Sequence, residues 1–236
     1  MENTIKKGLF YLITLLLTAV LSFPLFAQEK LPIKLGLKVA PNMCWMNTNT
    51  SGYEYNGLSV GGTVGFVSDI YFAERYAFST GLNFDFFNGK LRYADSLDIP
   101  GGKENGVMSR KYKMIYLEIP LMVKMKTKDF GKFSFFGQLG FGTGFRIAAT
   151  GSDEFVDDHG ITTTDKKDIR SETTLIRESV IIYLGTEYEI DDATRLVLSL
   201  GYSNSLNNVL TGSNSKTGKN QKAWLNYAEL SIGVLF

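Results

Sequence analysis

MIYLEIPLMVKM, residues 114–125, interleaves two sequences of opposite character. The odd positions, Ile115, Leu117, Ile119, Leu121, Val123 and Met125, are purely apolar. The even positions, Met114, Tyr116, Glu118, Pro120, Met122 and Lys124, include two charges and a proline. Successive side chains leave opposite faces of a pleated strand, so a period of two predicts a β-strand with one apolar and one mixed face. The strand alone does not say which face meets protein, water or lipid.

The alternation recurs over 34–39, 58–66, 76–86, 133–147, 176–188, 195–202 and 224–236, which with 114–125 gives eight strands and no amphipathic helix. The connections alternate in kind. Short joins lie at 73–75, 127–132 and 191–193; long polar segments lie at roughly 47–57, 92–110, 149–172 and 204–222. In an up-and-down barrel this puts every short turn at one end and every long loop at the other, the asymmetry of outer-membrane barrels. A soluble lipocalin-type barrel has the same strand count, with its apolar stripe turned inward.

Three features favour lipid outside. The apolar stripe is nearly continuous, while the other face mixes Gly, Ser, Thr, Tyr and charges of both signs. Aromatics gather near strand ends (Tyr76, Phe86, Phe133, Phe145, Tyr188, Tyr202, Trp224, Phe236), as interfacial girdles do. The sequence closes on Phe236, in phase with the stripe and similar to an outer-membrane assembly signal. The fold expected is therefore all-β, an eight-stranded antiparallel transmembrane barrel, one of two architectures that satisfy every backbone group in lipid. Pro120 cannot donate a ladder hydrogen bond, which predicts a bulge or a local break in pairing.

Lys6 and Lys7, the apolar run from Leu9 to Phe26 and the Phe26-Ala27-Gln28 junction have the layout of a secretory signal peptide over 1–27, ahead of a barrel domain over 28–236. An uncleaved helical anchor is the rival reading of the same run. The formal charge of +1 gives no reason to expect a nucleic-acid partner. A lone Cys44 excludes an intramolecular disulfide and reads as a buried structural thiol.

With the apolar face outward, Lys38, Asp85, Glu118, Lys124, Arg146, Arg177, Glu187, Arg195 and Glu229 face the lumen. They form either a narrow polar pore or a plug of ion pairs. Eight strands leave an interior just filled by side chains, and buried charges need partners, so the plug is favoured. Lumen glycines such as Gly61, Gly65, Gly81, Gly140 and Gly142 would make room for the longer chains.

Tyr116-Leu117-Glu118-Ile119-Pro120-Leu121 followed by Lys124 resembles the PorT-type family of outer-membrane β-barrel proteins. Leu35-Gly36-Leu37-Lys38 with Asn42, and the closing 230–236, are similar to it as well. The resemblance spans roughly residues 30–236 and implies an eight-stranded barrel in a Gram-negative outer membrane. It implies little chemistry, since the family's namesake is an accessory of a protein-secretion system.

The only histidine, His159, lies in the acidic stretch Asp153-Glu154-Phe155-Val156-Asp157-Asp158. With Ser152 and Asp157 it raises the alternative of a lipid-modifying hydrolase, but no triad spacing accompanies it. The same carboxylates suit Ca²⁺, yet no Asp-x-Asp-x-Asp-Gly order is present. Asp191-Asp192 reads as a turn. The expectation is thus no catalytic residue, no cofactor and no metal. The partners expected are outer-membrane lipids, the barrel-assembly machinery during insertion, and envelope or secretion-system proteins. A small-solute channel and a soluble ligand-binding barrel remain as alternatives.

Overall fold

A computed structural model describes residues 33–99, 102–158, 160–214 and 216–236. Residues 1–32, where a signal peptide is expected, and His159 lie outside the described residues. Among the described residues ten strands follow in chain order: β1 (Ile33–Thr48), β2 (Tyr53–Tyr55), β3 (Ser59–Ala73), β4 (Tyr76–Ile99), β5 (Gly102–Lys126), β6 (Phe133–Asp157), β7 (Gly160–Asp168), β8 (Ile176–Glu189), β9 (Arg195–Ser205) and β10 (Ala223–Leu235).

Eight of them close a ring in the order β1-β3-β4-β5-β6-β8-β9-β10, each antiparallel to its neighbours, with β10 returning to β1. The two short strands stand outside the ring: β2 pairs with the far end of β4, and β7 with the far end of β6. The closing seam runs from Gly36 opposite Leu235 to Thr48 opposite Ala223, and Leu35 and Phe236 exchange backbone hydrogen bonds at its end. A closed ring leaves no unpaired edge.

The opening stretch lies in β5 with its faces as the alternation demands. Leu121 is 64 % and Met125 55 % exposed, while Glu118 is 1 % and Lys124 2 %. The same outward apolar band circles the barrel through Leu37, Phe78, Leu139, Leu184, Leu200 and Ile232. Each such side chain left in water forgoes roughly 1.5–3 kcal/mol of burial, so a band of this size is stable only against hydrocarbon.

Pro120 does break the pairing. The β4–β5 ladder skips from Thr80 opposite Leu121 to Asn83 opposite Glu118, and the Thr80 hydroxyl donates to the Pro120 carbonyl at 2.8 Å. Pro41 has the same effect on the seam, where the β1–β10 ladder jumps from Val39 opposite Ile232 to Asn42 opposite Glu229.

Two expectations need correction. The segments 92–110 and 149–172 are not open loops. β4 and β5 stay paired out to Ile99 opposite Gly102, and β6 turns into β7 at Asp157 opposite Gly160. Strands of 24 and 25 residues far exceed the ~9–11 needed to cross a bilayer, so these hairpins stand well beyond the apolar band. The glycines also divide into two kinds. A Cβ on Gly142 would meet the Glu118 carboxyl carbon at 2.8 Å, so it does make room for that side chain. A Cβ on Gly140 would lie 2.1 Å from the backbone oxygen of Leu121, so there the need is close strand approach.

Candidate functional site

The lumen is filled in three tiers. At the short-turn end Lys124 Nζ lies 2.5 Å from Asp69 Oδ2 and 2.6 Å from Glu187 Oε1, with Lys126 Nζ 2.8 Å from Glu187 Oε2. Arg195 rims this end, 2.7 Å from Glu189 and 3.3 Å from Asp129. The Ser79 hydroxyl donates to Asp69 Oδ1 at 2.6 Å, and the Lys124 ammonium sits 4.6 Å above the Phe136 ring. Outside the spanning segments, the hydrogen bond from Arg195 holds the Asp129 carboxyl below the usual range. In the adjacent turn Asp191 Oδ1 accepts the backbone N–H groups of Ala193 and Thr194, which lower its pKa likewise. Asp191 and Asp192 therefore form the turn the sequence indicated.

The middle tier holds two linked clusters. Lys38 Nζ donates to Tyr183 Oη at 3.1 Å and to Glu229 Oε1 at 3.3 Å, and the Tyr183 hydroxyl donates to the same carboxylate oxygen at 2.5 Å. Arg177, fully buried, spends its fork on four acceptors: Glu118 Oε2 at 3.0 Å, Ser205 Oγ at 2.8 Å, Ser203 Oγ at 2.9 Å and the Leu225 carbonyl at 3.3 Å. Its guanidinium carbon also lies 5.1 Å from the Phe87 ring and 5.4 Å from Tyr227. Asp85 accepts the Thr63 hydroxyl at 2.7 Å. Between this tier and the one below, a cavity of about 60 Å³ touches Lys38, Asp69, Ser79, Lys124, Gln138 and Tyr183. That admits a few waters.

Above Arg177 the filling turns apolar. Cys44, Met46, Phe87, Leu91, Tyr93, Met114, Tyr116, Phe155, Leu225 and Tyr227 pack into one buried cluster with Tyr53 of β2 and with Ile169, Val209 and Leu210 from the long connections. Tyr53 stacks on Tyr93 with ring centroids 4.2 Å apart. Asn214 ties the last long loop down, donating to Tyr53 Oη at 3.1 Å and to the Ala94 carbonyl at 3.0 Å. Arg110 clamps Asp153 with two hydrogen bonds of 2.5 and 2.6 Å and also pairs with Glu172.

Lys38, Asp85, Glu118, Lys124, Arg177, Glu187 and Glu229 are thus brought together inside the barrel, and Arg195 stands at its rim. Arg146 holds the last inward position of β6 before its bulge, opposite the buried Tyr116. It donates to the carbonyls of Arg170, Thr173 and Thr174, so it braces the connection before β8 and joins no ion pair in the lumen. A bulge in β6 opposite Ile115 and Tyr116 then switches the inward positions from even to odd, so that Ala149 and Phe155 face the upper cluster. Sequence reasoning missed Asp69, Lys126 and Tyr183. Asp69 and Tyr183 were available, since continuing the alternation from Thr63 and from Ser179 puts both inside. It also missed Arg110 and the members of the upper tier that fall in the segments read as loops, Tyr53, Tyr93, Phe155, Ile169, Val209 and Leu210 among them. The acidic stretch is partly consumed by the Arg110 clamp on Asp153. Among the described residues no group of three or more His, Cys, Asp or Glu side chains is placed to hold a metal.

A closed eight-stranded antiparallel cylinder, apolar outside and ionic within, defines an integral β-barrel membrane protein. The chain belongs to the family described as outer membrane protein β-barrel domain, which matches residues 26–211. No curated protein is significantly similar to it. Among solved structures it is similar to neisserial surface protein A, at 9 % identity over 86 % of this chain and 95 % of that one, with a TM-score of 0.46. It is also similar to OprG of Pseudomonas aeruginosa, at 12 % identity over 86 % and 95 %, TM-score 0.43. Ail of Yersinia pestis is a third, at 12 % identity over 86 % and 98 %, TM-score 0.33. Family membership locates the barrel in the outer membrane of a Gram-negative bacterium, where short turns belong to the periplasmic side.

Proposed function

We propose that the protein is a non-enzymatic outer-membrane barrel that works through the β-structure raised outside the membrane, as an accessory to envelope or protein-secretion machinery. What carries the reading is the filled lumen: ion pairs occupy its periplasmic part and an apolar cluster closes its outer part. A barrel so filled offers solutes no path, which leaves the external hairpins and connections as the working surface. The secretion role draws on the likeness of Tyr116-Leu117-Glu118-Ile119-Pro120-Leu121 to the PorT-type element.

Two measurements test it. In planar bilayers the purified barrel is expected to give no conductance steps; discrete steps would establish the narrow channel instead. Affinity capture from detergent-solubilised envelopes should return envelope proteins with the intact barrel and lose them when residues 97–104 are replaced by Asn-Gly. An unchanged capture profile would remove the hairpin from the mechanism.

A further inference from the structure

The outward face of the β4–β5 hairpin carries an unusual set of cations just beyond the apolar band. On β4, Lys90 and Arg92 continue the outward phase of Phe84 and Phe86; on β5, Lys113 and Lys111 continue that of Ile115. Lys90 and Lys111 are direct cross-strand partners. Like charges placed directly opposite destabilise a sheet unless an anion lies between them.

The nearby acids do not supply one. Glu54 of β2 faces Arg92, and Glu154 of β6 faces Ser109, while Lys113 and Lys111 look across at Thr150 and Ser152. Lys90, Lys111 and Lys113 form no ion pair with any described residue. The contrast with Arg110 on the same strand is direct: turned inward, it is clamped by Asp153 and Glu172.

Position identifies the missing anion. At ~3.4 Å per residue, Lys113 lies about 7 Å and Lys111 about 14 Å along the strand beyond Ile115. With the strand tilted, that is the depth of the outer-leaflet headgroups, and long cationic side chains reach sideways from there. We propose that Lys90, Lys111 and Lys113, with Arg92 at the margin, form a binding site for the phosphate groups of an anionic outer-leaflet glycolipid.

The test uses the full-length barrel in phosphatidylcholine nanodiscs doped with a bisphosphorylated lipid A-type glycolipid or its dephosphorylated form. Native mass spectrometry would count the retained glycolipid. Wild type is expected to prefer the phosphorylated form, and the preference should shrink as salt is raised. In Lys90→Gln/Lys111→Gln/Lys113→Gln the preference should fall on the order of a hundredfold, from about fivefold per cation near an anionic surface. Lys216→Gln/Lys219→Gln, changed on the last long loop, should behave as wild type. Equal retention of both glycolipids, or an unchanged preference in the triple variant, would overturn the site. Displacement of the glycolipid by millimolar inorganic phosphate would overturn the lipid assignment and leave a free-phosphate site. The result does not depend on whether the lumen conducts.

Discussion

Arg177 has no solvent-exposed surface, and its partners explain how an arginine is tolerated there. A buried ion has lost several kcal/mol of hydration, recovered only when its partner and its remaining donors are all satisfied. Here one nitrogen meets Glu118, the others meet two serines and a carbonyl, and two aromatic rings lie over the plane. Removing the guanidinium strands Glu118 inside the barrel. Arg177→Ala is therefore expected to lose about 3–5 kcal/mol, read from urea-driven unfolding in lipid vesicles. Arg177→Lys should recover only part of this, because an ammonium cannot reproduce the planar fork. Asp191 works on the opposite principle, in water. Its folded-state pKa lies below the unfolded value of about 3.9, so its contribution is complete above that value and is lost as pH falls through the folded one. The stability gap between wild type and Asp191→Ala should be flat from pH 7 to about 5 and close as the solution is taken toward pH 2.

Among elements, β4, β5 and β6 show where the sequence was legible and where it misled. Within the band, apolar side chains point out and polar ones in, so Leu117, Leu121 and Phe84 alternate with Glu118, Lys124 and Asp85 in a pattern that reads directly. Past Phe86 and Ile115 the phase continues but the chemistry inverts. Phe87, Leu91 and Tyr93 turn inward while Lys90 and Arg92 face out; Tyr112 and Met114 turn inward while Lys111 and Lys113 face out. The surroundings have changed from hydrocarbon to water, so the strand adopts the rule of a soluble sheet. A search for one constant apolar face ends at the crossover and reads the rest as loop. That is why the charges of the lumen were legible and the outer part of the apolar tier, Leu91, Tyr93 and Phe155 among it, was not. Arg146 stands at this border too, opposite the buried Tyr116, and turns to loop carbonyls instead of a carboxylate. Cys44 probes the upper tier directly, being fully buried within that cluster. It should resist a membrane-impermeant maleimide in the folded barrel and react only after denaturation. Labelling at the rate of a free thiol would mean that the outer mouth is open.

For the whole molecule, what decides stability is closure, and closure makes residues of equal number unequal in weight. Strand β10 supplies one side of the seam with β1 and the whole outer partner of β9. Deleting residues 230–236 would leave backbone groups of both neighbours facing lipid, each at a cost of several kcal/mol, and would remove the exchange between Leu35 and Phe236. No rearrangement of seven strands restores those bonds without changing every register. The far end of the β4–β5 hairpin is different, since its pairs from Ser96 opposite Asn105 outward lie beyond the membrane and water can satisfy whatever they release. Replacing residues 97–104 by Asn-Gly also supplies the two-residue turn a hairpin prefers. The expected outcome on unheated gels is therefore asymmetric. The hairpin-shortened protein should retain the compact, heat-modifiable band of a closed barrel, and the 230–236 deletion should show only the unfolded one. A shortened hairpin that abolished the compact band would mean that β4 and β5 fold inward from their outer ends, with the seam closing last upon a scaffold already formed above the membrane.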